Sequence, residues 1–222
     1  MKVKDNIKAV KDILNKKHCT LVAVSKTKPA ETILEAYDAG QLDFGENKAQ
    51  ELQKKAAELP NDIRWHMIGH LQRNKVKYIA PFVYLVHSVD SMKLLREINK
   101  QGQKFNRVIP CLLQVHIARE ETKFGLAEHE VIELIHSYDI REMQHTQIRG
   151  LMGMATNTQD KKKIKAEFAG LRQLFVKIKT MEIPENVAMQ ELSMGMTSDY
   201  EIALEEGSTM VRVGSAIFGA RN

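Results

Sequence analysis

The chain has 222 residues, 43% of them hydrophobic, with 33 Lys+Arg against 28 Asp+Glu for a net charge of +5. That is enough apolar material for a continuous core and suits one large domain or two small ones. No stretch approaches the roughly 20 apolar residues that span a bilayer, and the mild positive balance comes with neither aromatic interleaving nor a recognisable nucleic-acid module. A small anionic ligand is the partner such a balance favours.

The first segment, residues 1–17, reads as a charged amphipathic helix with Val3, Ile7, Val10 and Leu14 on one stripe, and not as a targeting signal. Short runs rich in apolar or β-branched residues then alternate with polar, helix-periodic stretches. The predicted strands are Thr20 to Lys26, Asp43 to Glu46, Trp65 to Gly69, Leu85 to Val89, Val108 to Ile117, Ile148 to Ala155, Glu191 to Met196 and Met210 to Ser215. Several are almost uniformly apolar, the pattern of strands buried on both faces.

Between them, Pro29 opens a helix where its missing N–H costs nothing. Asn47 with Gln50, and Ser198 with Glu201, have the spacing of capping boxes. Ile164, Phe168, Leu171, Phe175 and Ile178 mark the apolar face of a long helix that begins in a lysine run, which is read as a solvated face. Gly40 and Gly207 follow helical runs where a left-handed residue is wanted.

Eight βα units without a linker or composition break predict an α/β fold, a single (β/α)8 TIM-type barrel over residues 1–222 with an extra N-terminal helix. Cys19 and Cys111 lie far apart in no metal or disulfide spacing, so both are expected to be reduced thiols of a cytoplasmic protein.

In such barrels function gathers at the C-terminal ends of strands. Lys26 leaves the first strand there, where partial desolvation would favour the neutral, nucleophilic amine; a carboxylate partner, or a stem that snorkels to water, is the competing reading. Gly214, Ser215 and Ala216 stand where the last strand turns into a short helix, a place for an anion, and Thr197 and Ser198 follow strand seven. Ser198 reads equally well as a plain N-cap. Arg212 sits between Val211 and Val213, so it points into the barrel and needs a partner, either a ligand or an internal carboxylate such as Glu46 or Asp199. His66 and His70 fall on one strand about 13 Å apart, too far to share a metal. Both read as structural.

These same residues carry a resemblance to the pyridoxal phosphate homeostasis family, small barrel proteins similar to alanine racemase. It runs through VAVSKTKP around Lys26, DFGEN ending at Asn47, WHMIGHLQRNK from Trp65, KFGL from Lys123, RGLMGMA from Arg149, LSMGMTSDY from Leu192 and GSTMVRVGSAIFGAR from Gly207. The resemblance implies that Lys26 carries pyridoxal 5′-phosphate as a Schiff base and that Arg212 meets the pyridine nitrogen. It also implies that Gly214 and Ser215 bind the phosphate, that Ser193 or Thr197 completes that cup, and that Asn47 lies near the ring. Thr197 stands where the family usually has serine, and His70 where a proline or small residue is common.

The implied function is a non-catalytic carrier that keeps the free aldehyde low and passes the cofactor to apo-enzymes, with a weak amino-acid racemase as the alternative. An always-protonated arginine beside the ring nitrogen leaves that nitrogen unprotonated and the ring a weak electron sink. A racemase also needs a second base on the far face of the ring. The sequence ends at Asn222, soon after strand eight, so a racemase-like second domain is not expected and a monomer is.

Overall fold

The computed structural model describes residues 2–118 and 124–219; Lys123 of the KFGL block, and Ala220 and Arg221 of the last block, lie outside them. After α1 (Val3–Leu14) the strands are β1 (Thr20–Val24), β2 (Asp43–Glu46), β3 (Arg64–Met67), β4 (Leu85–Val89), β5 (Ile109–Val115), β6 (Thr146–Gly153), β7 (Val187–Met196) and β8 (Met210–Val213). Each pairs in parallel with the next, and β8 pairs with β1, closing an eight-stranded barrel.

The helices α2 (Ala30–Asp38), α3 (Ala49–Glu58), α4 (Val76–Ile79), α5 (Met92–Lys104), α6 (Glu128–His136), α7 (Tyr138–Arg141), α8 (Lys161–Lys179), α9 (Tyr200–Glu205) and α10 (Ser215–Phe218) fill the connections. Every residue of β2, β4 and β8 is buried, as expected of strands covered by helices outside and by side chains inside. The larger apolar cluster lies between strands and helices; a smaller one, Val22, Leu85, Leu112, Met152 and Met210, fills the lumen.

The predicted bounds of β2 and β4 match the structure, whereas β7 begins at Val187 rather than Glu191 and β1 stops at Val24, leaving Ser25 and Lys26 in the loop. The stripe of α1 is buried as expected, through Ile7, Val10 and Leu14. Gly40 and Gly207 have φ of 79° and 85°, the left-handed conformation their positions called for.

Two predicted caps do not form. Lys48 and Asp199 occupy the N-cap positions of α3 and α9, neither through a side-chain bond, because each helix starts one residue later than the boxes required. Side-chain caps occur instead at Ser91 on α5 and Asp160 on α8. The buried face of α8 runs through Leu174, with Phe175 only partly covered. At 3.6 residues per turn the stripe drifts along a helix this long, and the smaller step meets the core.

Candidate functional site

A cleft of about 650 Å³ opens at the C-terminal end of the barrel. Lys26, Asn47, Thr197, Arg212, Gly214 and Ser215, which the sequence places at four different strand ends, all line it. Ser198, Lys28 and His70 join them, with Ile68, Met154 and Phe124 as apolar walls. Ser193 is fully buried and lies outside this lining. Thr197 is therefore the hydroxyl of that pair that reaches the cleft.

The loop carrying Lys26 is clamped from below. Lys55 of α3 donates to the Ser25 carbonyl at 2.9 Å, to Glu46 Oε1 at 2.9 Å and to Glu51 Oε1 at 2.8 Å. Ser25 Oγ donates to Glu46 Oε1 at 2.6 Å, and the Thr27 N–H donates to Glu51 Oε1 at 2.6 Å. Burial pushes the Glu46 carboxyl up, against the bonds from Lys55 and Ser25, and its Oε2 has no partner. Burial also acts upward on Glu51, but Lys55 and the Thr27 N–H outweigh it and hold that carboxyl below its usual range. Thr27 itself has φ of 64°, a left-handed conformation uncommon for a β-branched residue. Lys28 Nζ donates to the Phe218 carbonyl at 3.1 Å, tying the same loop to α10.

Arg212 is 4% exposed, yet it reaches the cleft floor. Its Nη1 donates to Ser193 Oγ at 2.5 Å and its Nη2 to the Gly153 carbonyl at 3.0 Å. Burial lowers its pKa to about 10, with the charge of Asp199 acting in the opposite sense. The expected alternative pairing with Glu46 is not made: Glu46 faces the helix layer and bonds Lys55. Asp199 acts through its field alone, and its Oδ1 accepts the Met196 N–H at 2.6 Å. Beside Arg212, the Gly214 N–H donates to Thr197 Oγ1 at 3.3 Å, so this backbone donor already has a hydroxyl partner. The first bonds of α10 run from the Ile217 and Phe218 N–H groups to the Gly214 carbonyl, which leaves the N–H groups of Ser215 and Ala216 outside its ladder.

His66 and His87 are both fully buried, His66 against Asp43 and His87 against Ser193. His70 is separate from them, at the rim. Its Nδ1 lies 3.2 Å from Asp90 Oδ2 and its ring stacks on Phe124 with centroids 4.2 Å apart. Among the described residues no group of three or more His, Cys, Asp or Glu is placed to hold a metal ion.

Sequence reasoning did not single out Asp43, Lys55 or His87. The signal for His87 was present, a polar residue two past Leu85 in a uniformly buried strand, which is the rule that marked Arg212. Lys55 had no such signal, because its partners lie on a strand, a turn and its own helix.

The alanine racemase N-terminal domain family matches residues 1–222. The pyridoxal phosphate homeostasis protein of Aquifex aeolicus is 40% identical over 202 residues, 90% of this chain and 86% of that protein. The Vibrio alginolyticus protein of the same name is 42% identical over 207 residues, 91% and 86% of the two chains. PipY of Synechococcus elongatus, solved with PLP bound, superposes with a TM-score of 0.87 at 34% identity, over 98% of this chain and 100% of PipY.

Proposed function

Because the chain belongs to the pyridoxal phosphate homeostasis family, built on the alanine racemase N-terminal domain, we propose that it binds pyridoxal 5′-phosphate in the cleft and carries it as a Schiff base on Lys26. The observation that carries this reading is the convergence of Lys26, Thr197, Arg212 and Ser215 on one mouth. The positive charges of Lys28 and Arg212 in the lining favour an anionic ligand, and an amine on a clamped loop suits an aldehyde.

Each residue has a task that its surroundings support. The lysine amine condenses with the aldehyde and releases water. The Ser215 hydroxyl, with the N–H groups of Ser215 and Ala216 at the start of α10, forms the phosphate cup. Thr197 closes the cup from β7 while holding the Gly214 N–H. Arg212 presents N–H donors to the pyridine nitrogen, and Asn47 lies along the ring. Ile68, Met154 and Phe124 exclude water from the ring faces.

The bound group supplies an electron sink at the ring, which a donor-only arginine beside the nitrogen keeps weak. That choice supports a carrier over an enzyme: a cytoplasmic, monomeric store that keeps the aldehyde low and hands it to apo-enzymes.

Borohydride reduction followed by mass spectrometry tests attachment. The reduced adduct is expected on the Lys26 peptide of the wild type, and Lys26→Ala should lose both the adduct and the visible imine band. An unchanged band in Lys26→Ala, or label on another lysine, overturns the assignment. Deuterium exchange at Cα of added alanine is expected to be absent; rapid exchange would favour the enzyme, a weak amino-acid racemase, over the carrier.

A further inference from the structure

A line of buried polar groups crosses the lumen beneath the cleft. Arg212 Nη1 lies 2.5 Å from Ser193 Oγ, and Ser193 Oγ lies 3.0 Å from His87 Nδ1. His87 Nε2 lies 2.9 Å from His66 Nδ1, and His66 Nε2 lies 3.0 Å from Asp43 Oδ1. The line starts on β8 and ends on β2, passing through β7, β4 and β3. Asp43 also accepts from Arg64 Nη2.

We infer that these contacts form a one-way hydrogen-bond relay that fixes the Arg212 guanidinium at the cleft floor, with Ser193, His87 and His66 as its positioning residues.

Direction follows from donor inventories. Arginine only donates, and the carboxylate of Asp43 only accepts. A neutral His66 then presents Nε2–H to Asp43, and its bare Nδ1 accepts the Nε2–H of His87. The bare Nδ1 of His87 then takes the Ser193 hydroxyl proton, so the Ser193 oxygen turns its lone pairs to Arg212. Each link has one donor and one acceptor, as a fully buried chain requires. Burial, with the charge of Arg212 acting in the same sense, holds the His87 imidazole well below its usual pKa, consistent with a neutral ring. Ser193 is thereby committed to the arginine and is not part of the phosphate cup.

The orientation of the relay is a property of the protein alone. Its consequence for the cofactor rests on the function proposed above.

Nitrogen NMR of imidazole-labelled, ligand-free protein reads the relay. Both His66 and His87 are expected as neutral Nε2–H tautomers. A Nδ1–H tautomer or an imidazolium at either ring overturns the inference.

Asp43→Asn is the informative variant. Arg64, a donor, faces the side-chain oxygen of the new amide and turns the amide N–H towards His66. Both rings should switch to Nδ1–H while the fold persists. Unchanged tautomers in a folded Asp43→Asn would also overturn it.

The hold on Arg212 is read from its side-chain nitrogen signals. The two Nη groups should be distinct in the wild type, merge through faster rotation in Ser193→Ala, and separate again in Ser193→Thr. If Ser193→Ala leaves them distinct, Ser193 does not position the arginine.

With pyridoxal phosphate added, Ser193→Ala should bind at least several-fold more weakly than Ser193→Thr. Failure of the wild type to form any adduct would remove the cofactor reading, while the tautomer and Nη results would still decide the relay.

Discussion

Lys55 Nζ lies 2.9 Å from the carbonyl oxygen of Ser25, the residue before Lys26, and shares its remaining donors between Glu46 and Glu51. One ammonium on α3 thus fixes the backbone from which the proposed cofactor lysine departs.

Removing that ammonium leaves a buried carboxylate without its cation. Lys55→Met is expected to cost about 3–5 kcal/mol at neutral pH, the usual penalty for breaking a buried pair by one partner. Lys55→Met/Glu46→Leu should recover much of the loss, because the one carboxylate then left without Lys55, Glu51, is partly exposed and keeps the Thr27 N–H. The sign of the pH dependence follows from Glu46, whose carboxyl is already raised. A raised carboxyl favours the folded state below the ordinary glutamate range, and that contribution is lost as pH rises through the folded value. The single variant should therefore be least impaired in acid. Urea unfolding at pH 4.5 and pH 7 checks both points; equal penalties at the two pH values would refute the account.

Thr27 holds a left-handed backbone next to Lys26, with its N–H on Glu51. Asparagine tolerates that conformation better than a β-branched residue, and strain of this kind costs on the order of 1–3 kcal/mol. Thr27→Asn should raise stability by about 1 kcal/mol and leave pyridoxal phosphate affinity within about threefold, since the backbone path is kept. Thermal unfolding and a binding titration on the same preparation test this. A destabilised variant would mean that the threonine methyl or hydroxyl has packing value the backbone angle hides.

These two predictions rest on features of different legibility in sequence. β2 and β4 could be bounded correctly at their ends because a turn-forming residue, Asn47 or Asp90, follows each run directly. Arg212 stood out as a charge among Val211 and Val213, and Lys26 as a lysine ending an apolar run. The Lys55 clamp could not be read, because it joins three elements whose relative placement exists only once the barrel closes. The capping boxes failed for a local reason. Spacing alone does not say whether Asn47 is the last loop residue or the cap, and Asn47 lines the cleft instead. The loops after β7 and β8 that the sequence singled out do border the cleft, but the bond between Gly214 and Thr197 depends on the register of β7 against β8, which shifts between Ser193 and Met196.

Gly69 borders the cleft where two backbones nearly touch. A Cβ there would sit 2.4 Å from the Asn47 carbonyl oxygen and 2.7 Å from its Cα. No side-chain rotation relieves a clash with main chain, so Gly69→Ala should displace the Asn47 segment and cost about 1–3 kcal/mol. Because Asn47 lines the cleft, pyridoxal phosphate should bind several-fold more weakly even in protein that remains folded. A titration showing wild-type affinity in this variant would remove Asn47 from the binding surface.

His87 supplies the last expectation, about acid stability. Burial and, after it, the charge of Arg212 disfavour its imidazolium, so its folded pKa lies well below 6.5. Its other polar neighbour, Ser193, is neutral and bonds its Nδ1. The unfolded chain therefore takes up a proton near this residue's ordinary pKa while the folded protein does not. A depressed pKa gives stability that is complete above the unfolded value and is lost as pH falls towards the folded one. Between pH 6.5 and 5 the wild type should lose up to about 1.4 kcal/mol per pH unit from this residue. His87→Gln, which keeps an amide donor towards His66 but does not titrate, should show a shallower slope by about that amount over the same interval. Urea unfolding free energies at half-unit steps decide the matter: parallel slopes in the two proteins would mean that His87 is not the group whose protonation opposes folding.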